Sequence, residues 1–431
     1  MVKAPSTCRS SGVCVAVVML GLTLVHGVPA TLFAANCAVT TVGLTPLDDL
    51  GAGTYQGEPG GLYAGGANER PPAHDAAGRA RAAAIAPING AIVLISIGMS
   101  NTTQEFSRFV PLAMNHPARN PALRVVDCAA GGQHAAIAAD PNTPYWNVVR
   151  QRLLQAGVDS SQVRAAWIKE AIPNPALPFP ADAIELQGYF RAIAQNLHDK
   201  FPNLDLAYFS SRIYAGYATG VSTLNPEPWA YQSGFAVKWL IDDQVTGDPG
   251  LNYDPHAGPV EVPWLAWGPY LWADGLVPRS DGLIWRCSDF QNDGTHPSVG
   301  GATKVAQMLL DFFTTDATAT PWFLRPAAAI EDPGIVAGAT EFRLLRARPN
   351  PFTERVSIPL SGSIARVAAR VLDPTGRLVA RIRCEAAAGG GPAALVWDGR
   401  NTSGSRVPAG AYWIEARSDG EVARARLTRV E

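Results

Sequence analysis

A chain of 431 residues, 47% hydrophobic and 17% charged, is long enough for two domains, each with an apolar core of its own. Its formal net charge of −2 gives no overall basic excess, so the composition points away from a nucleic-acid partner. The 41 glycines and 35 prolines spread over many loops rather than one tract, which excludes a low-complexity or fibrous chain.

At the amino end, Lys3 and Arg9 precede an apolar run from Val13 to Val28, and the small residues Pro29-Ala30 and Ala34-Ala35 follow. This pattern predicts an export signal over residues 1–35. The run is shorter than the roughly 20 apolar residues of a spanning helix. Asn36 before Cys37 also departs from the small residue that precedes a lipid-anchored cysteine. The mature chain is therefore expected to be secreted or held at the cell surface. There Cys37, Cys128, Cys287 and Cys384 leave room for disulfides whose pairing the spacing does not fix.

From about 90 to 315, apolar strand-like runs alternate with helical patterns. The strands are read at Ala91–Ile97, Leu123–Val126, Val163–Ile168 and Leu204–Phe209. Leu186, Phe190, Ile193 and Leu197 repeat at helical spacing within Ile184–Phe201. This order predicts an α/β domain over 36–315, a three-layer α/β/α arrangement around a parallel sheet with ligands at the carboxyl ends of its strands. Residues 316–340 mix Thr, Ala, Pro and Gly without period and read as a linker. Beyond it, Val367, Ala369 and Val371 alternate, a Asp-Pro-Thr-Gly turn follows, and Leu378, Ala380 and Ile382 alternate again. That is a hairpin, and similar patterns continue to the end, so 341–431 reads as an all-β sandwich.

Two segments carry candidate chemistry. In "IVLISIGMSNTTQEF" (92–106) a buried strand stops at Gly98 and delivers Ser100 to the mouth of a helix. In "DGTHPSVGG" (293–301) Asp293 and His296 are three apart on a turn ahead of another helix. That spacing lets the carboxylate hold one ring nitrogen while the other takes a proton from a hydroxyl. Between them, "VVDCAAGGQH" (125–134) places Gly131-Gly132 at a second strand end.

A serine after the first strand, glycines after the second and Asp-x-x-His before the last helix occur in the order that resembles the SGNH (GDSL-like) hydrolase superfamily. The resemblance implies a nucleophile at Ser100, a general base at His296 and an orienting carboxylate at Asp293. It implies an oxyanion hole from the N–H groups of Ser100 and Gly132. The opening Gly-Met-Ser-Asn is similar to the Gly-Gln-Ser-Asn of the sialate O-acetylesterase-like branch, and with Asn101 in that motif the resemblance extends to substrate binding. The usual Gly-x-Asn-Asp is missing; "AAWIKEA" (165–171) stands there and puts Lys169 at the donor position, either as an oxyanion or carboxylate contact or as a lysine beyond a strand. Arg212 and Tyr214 follow the fourth strand at the same edge and are expected to line the cleft as substrate contacts. Trp229, Trp264, Trp267 and Trp272 crowd later loops, either lining a sugar site, with Trp267 the candidate contact, or packing a long insertion. His256 has no ligand partners at useful spacing, so neither a metal nor another cofactor is expected.

The tail segments "ARPNPFTERVSIPL", "VLDPTGRLVARI" and "LVWDGRNTSGSRVPAGAYWIEA" look like the Ig-like domain of flagellar hook-capping proteins and, equally, the related sorting domain of type IX secretion. This likeness implies attachment or contact with secretion machinery and no catalysis. The combined expectation is an exported serine esterase that removes acyl groups, acetyl among them, from a carbohydrate or other small ester. The alternative is a non-catalytic carbohydrate-binding or surface protein on the same scaffold.

Overall fold

A computed structural model describes residues 35–218, 224–325, 343–344, 347, 349–361, 367–373, 377–382, 384–385, 394–418 and 421–430. The export-signal expectation therefore lies almost wholly outside the described residues. The chain divides into two compact units, Met1–Ala329 and Ile330–Glu431.

The first unit is built on five parallel strands: β1 (Ile92–Gly98), β2 (Leu123–Val126), β3 (Val163–Lys169), β4 (Leu206–Phe209) and β5 (Trp264–Trp267). They lie in the order β2-β1-β3-β4-β5, with Ile95 beside Val126, Gly98 beside Lys169 and Phe209 beside Trp267. All seven residues of β1 are buried, as a parallel strand covered on both faces requires. The order reverses at β1: β2 lies on one side and β3 on the other. A crevice opens at such a switch point beyond the carboxyl ends of the strands.

Among the described residues, the α-helices of five residues or more are α1 (Pro72–Ala84), α2 (Ser100–Met114), α3 (Ala135–Ala139), α4 (Tyr145–Gln155), α5 (Ala181–Lys200), α6 (Trp229–Val245) and α7 (Val299–Thr315). They pack in two groups, α2 against α7 and α6 against α5, with α3 also on α5. Phe106 and Phe109 of α2 are fully buried, and Phe109 meets Phe313 of α7. Burying each such ring contributes about 2–3 kcal/mol.

Two corrections concern boundaries. The fifth strand runs through Trp264–Trp267, a stretch read from sequence as an aromatic loop, and three of its four side chains are entirely out of solvent. The body also continues past 315. Trp322 and Phe323 are fully buried in its core, and the Arg325 amide donates to Ala118 O at 2.7 Å, so the first ten residues of the expected linker belong to the body.

The second unit is antiparallel β. One four-stranded sheet orders β8 (Leu378–Ile382), β7 (Ala368–Leu372), β10 (Gly410–Ser418) and β11 (Glu421–Arg429). The other contains β9 (Ala394–Trp397) beside β6 (Val356–Ser361), flanked by the two-residue strands Cys384–Glu385 and Arg343–Leu344. Val371, Ile414 and Leu427 from the first share one core with Val356, Ile358 and Trp397 from the second.

Candidate active site

Ser100 is the first residue of α2, two residues beyond the strand end at Gly98. Gly98 is required there by space. A Cβ at that position would lie 2.3 Å from Thr102 Oγ1 and 2.5 Å from Lys169 O. Thr102 Oγ1 in turn donates to Lys169 O at 2.6 Å, so the first turn of α2 sits directly on the end of β3.

The serine hydroxyl lies 2.7 Å from His296 Nε2, and His296 Nδ1 lies 2.6 Å from Asp293 Oδ2. The other carboxylate oxygen accepts the amides of Thr295 and His296, each at 2.9 Å. Burial alone would raise Asp293, but the bonds from the His296 ring and these two amides outweigh it and hold the carboxyl at about 2. An ionised Asp293 places the ring proton on Nδ1 and leaves Nε2 to accept the serine proton. The turn that makes this possible depends on Gly294. Its φ of +69° is in the left-handed region, and a Cβ there would lie 2.4 Å from the Tyr217 backbone. Asn101 Nδ2 donates to Thr295 O at 2.9 Å, which ties the histidine turn to the helix that begins at Ser100.

The glycine loop is fastened to the same strand end. Ala130 N–H donates to Gly98 O at 2.9 Å, and the amides of Cys128 and Ala129 donate to Ser96 Oγ at 3.0 and 3.2 Å. A Cβ on Gly131 would stand 3.9 Å from Ser100 Cβ, so this loop runs beside the serine. Among the described residues, the N–H groups of Ser100, Gly131 and Gly132 donate to no protein acceptor. Unspent N–H groups beside a serine hydroxyl can hold a developing oxyanion.

Lys169 does not join them. Its ammonium is wholly buried and lies 2.5 Å from both oxygens of a wholly buried Glu105, which α2 presents one turn after Asn101. Burial lowers the ammonium to about 8 against the pull of Glu105. A cation at the end of a buried strand needs a carboxylate more than it can serve a solvent-facing site. Three of the expected substrate contacts are also interior. Asn101 is 2% exposed and spent on Thr295. Tyr214 is fully buried with its hydroxyl toward Val39 O, and Trp267 donates to Leu62 O at 2.6 Å. Trp272 donates to Glu227 at 2.8 Å, so the aromatics mostly pack the insertion. Arg212 is likewise buried, and the opposing charges around it include Glu105, Glu170, Glu227 and Asp293.

Sequence reasoning missed Glu105 and Glu170. The latter is fully buried beside Lys169 in the chain, and burial pushes its carboxyl well above the usual range. The available signal was a carboxylate on the apolar stripe Thr102, Phe106, Phe109, where an unpaired charge would not be tolerated. The one disulfide among the described residues joins Cys37 to Cys287, six residues before Asp293, and Cys128 is a buried free thiol.

The tail has a family. Residues 352–421 match the FlgD Ig-like domain. The match covers the second unit only, and no curated protein matches the chain. Among solved structures, protein YxiM from Bacillus subtilis is 13% identical, with 52% of this chain and 56% of that one aligned at a TM-score of 0.29. This chain thus spans little more than half the length of that protein. An endo-β-1,4-mannanase from Thermotoga petrophila is 9% identical (79% of this chain, 78% of that one, TM-score 0.16). A β-glucuronidase from Bacteroides uniformis is 11% identical (62% and 39%, TM-score 0.16). Scores this low carry no argument about fold or activity. Among the described residues no helix is long and apolar enough to cross a membrane.

Proposed function

We propose that the body is an exported serine esterase of the SGNH type, acting on acyl esters of a carbohydrate or similar polar alcohol. The observation that carries this reading is the relay from Ser100 through His296 to Asp293, with contacts of 2.7 and 2.6 Å at the switch point of the sheet. Ser100 Oγ attacks the ester carbonyl while Nε2 takes its proton. The tetrahedral oxyanion turns to the N–H groups of Ser100 and the Gly131-Gly132 loop. His296 then protonates the departing alcohol, and water, activated by the same ring, releases the acid from the acyl-enzyme. The FlgD-like tail serves in attachment or export and takes no part in the chemistry.

Hydrolysis of p-nitrophenyl acetate tests the site. Wild type is expected to turn it over, and Ser100→Ala and His296→Ala to fall to background with unfolding curves unchanged. Activity that survives Ser100→Ala refutes the assignment. Acetyl release from acetylated xylan, pectin and O-acetylated sialic acid then sorts the alcohol part. The inward turn of Lys169 favours a second reading, a binding protein on this scaffold, because the lysine at the position of the third donor is spent on Glu105. A wild type inert toward every ester, yet retained by the same glycans, would establish it.

A further inference from the structure

The near-neutral total conceals a division of charge. Residues 341–431 hold fifteen arginines, no lysine and nine carboxylates, a formal +6, while residues 36–340 hold eighteen basic and twenty-eight acidic residues, a formal −10. The arginines of the tail are also placed together. Arg381 of β8 stands opposite Arg370 of β7, Arg370 opposite Glu415 of β10, and Glu415 opposite Arg424 of β11. The four form one row straight across the sheet, about 14 Å long at about 4.8 Å per strand. Arg417 lies two residues along from Glu415, and Arg426 two residues along from Arg424, on the same face.

This face is open. Glu415 is 1% exposed beneath Arg370, Arg417 and Arg424, whose side chains remain 46%, 60% and 67% exposed. Glu415 accepts from the Nε of all three at 3.0 to 3.2 Å and also meets the Nη2 of each at 2.7 to 3.2 Å, so one edge of every guanidinium is fixed on it while the side chains stay largely exposed. Arg381 and Arg426 are exposed and hold no carboxylate among the described residues. Like charges directly opposite, as Arg381 and Arg370 are, cost stability in a sheet, and a single Glu415 leaves the face at a net +4. Half-buried Trp413, opposite Arg426, adds an aromatic surface.

We infer that this face of the tail binds a carboxylate-bearing polysaccharide, the guanidinium row pairing with uronate groups and Trp413 stacking on a sugar ring. The exclusive use of arginine fits this partner, since a guanidinium fork matches a carboxylate in two parallel bonds and an ammonium does not. An open face with five guanidiniums around one buried carboxylate suits an extended chain that carries a negative charge on successive sugars. Such a surface would hold the whole protein on an acidic matrix independently of anything the body does there.

The test is retention of the full chain on immobilised polygalacturonate, compared with neutral xylan, single-stranded DNA and anionic lipid vesicles. Wild type is expected to bind polygalacturonate at low salt, to elute as salt rises, and to pass through xylan. The variant Arg381→Glu/Arg426→Glu removes only arginines that hold no carboxylate among the described residues, so its unfolding midpoint should match wild type while its affinity falls at least tenfold. Trp413→Ala should weaken polygalacturonate binding while leaving vesicle binding unchanged. Equal retention on xylan, unchanged binding by the charge-reversed variant, or tighter binding to DNA or vesicles than to polygalacturonate would overturn the inference. Because Ser100→Ala leaves this face intact, failure here and failure of the esterase reading are separate results.

Discussion

The buried pair of Lys169 and Glu105 offers the sharpest test of how the site is held. Both side chains are 0% exposed and meet at 2.5 Å between the end of β3 and the first turns of α2. At an effective dielectric near 20, two unit charges that close attract by about 7 kcal/mol, most of which offsets their removal from water. Removing one partner strands the other, so Lys169→Met alone should cost about 3–5 kcal/mol, and Glu105→Leu alone a similar amount. The double variant Lys169→Met/Glu105→Leu replaces the pair by apolar groups and should unfold within about 2 kcal/mol of wild type. Urea unfolding of the four proteins gives the coupling directly. A Lys169→Met variant within 1 kcal/mol of wild type would refute the ion-pair account. Activity supplies a second readout. If Lys169 only seats α2, the double variant keeps its rate on p-nitrophenyl acetate to within a few-fold. A loss of about 10²–10³-fold in kcat in a stably folded double variant would instead put the ammonium on the oxyanion.

Three further outcomes follow from the geometry. Gly98→Ala forces a Cβ against Thr102 and the Lys169 carbonyl, so it should cost about 2–3 kcal/mol and lower kcat by shifting Ser100; a wild-type unfolding midpoint would refute the packing argument. Cys37→Ser/Cys287→Ser opens a link spanning 250 residues and should lower stability by up to about 5 kcal/mol on a chain-entropy account, measured as a urea midpoint that reductant no longer moves. Asp182 is 3% exposed, and burial followed by repulsion from Glu185 raises it from 3.8 to about 6. A raised carboxyl holds its proton in the folded state longer than in the unfolded one, so its contribution is present below about pH 4 and lost as pH climbs to about 6. Asp182→Asn should therefore flatten the decline in unfolding free energy between pH 4 and 7 by on the order of 2 kcal/mol, and an unchanged slope would refute it.

The parts of the site legible in the sequence share a physical character: each is fixed by a local constraint that leaves a local trace. The strand ending at Gly98, the helix from Ser100 and the Asp-Gly-Thr-His turn all declare themselves within a few residues, because burial on both faces, a helix start and a left-handed glycine each demand particular residue types. The parallel sheet was legible for the same reason, apart from β5. That strand is only four residues long, carries two tryptophans, and could not be told from a loop by periodicity.

The remainder depends on partners far away in the chain. Lys169 lies 64 residues from Glu105, and nothing near either residue says which carboxylate a buried lysine will find. Each nevertheless stood against apolar neighbours, Glu105 on the helix face of Phe106 and Phe109 and Lys169 directly after the apolar Ala165–Ile168, and the cost of an unpaired buried charge makes two such charges candidates for each other. The tryptophans mislead in the opposite way. An indole carries enough apolar surface to suggest a ligand, but the long stretch between β4 and α7 must also bury its apolar side chains against the body. Trp264, Trp272 and Trp285 join the core of the body itself, each fully buried with its N–H on a protein acceptor: the His74 carbonyl, the Glu227 carboxylate and the Leu271 carbonyl. A satisfied indole N–H is the mark of a structural ring, whereas Trp413, half-buried opposite the exposed Arg426, is the tryptophan whose surface the proposed sugar contact would use.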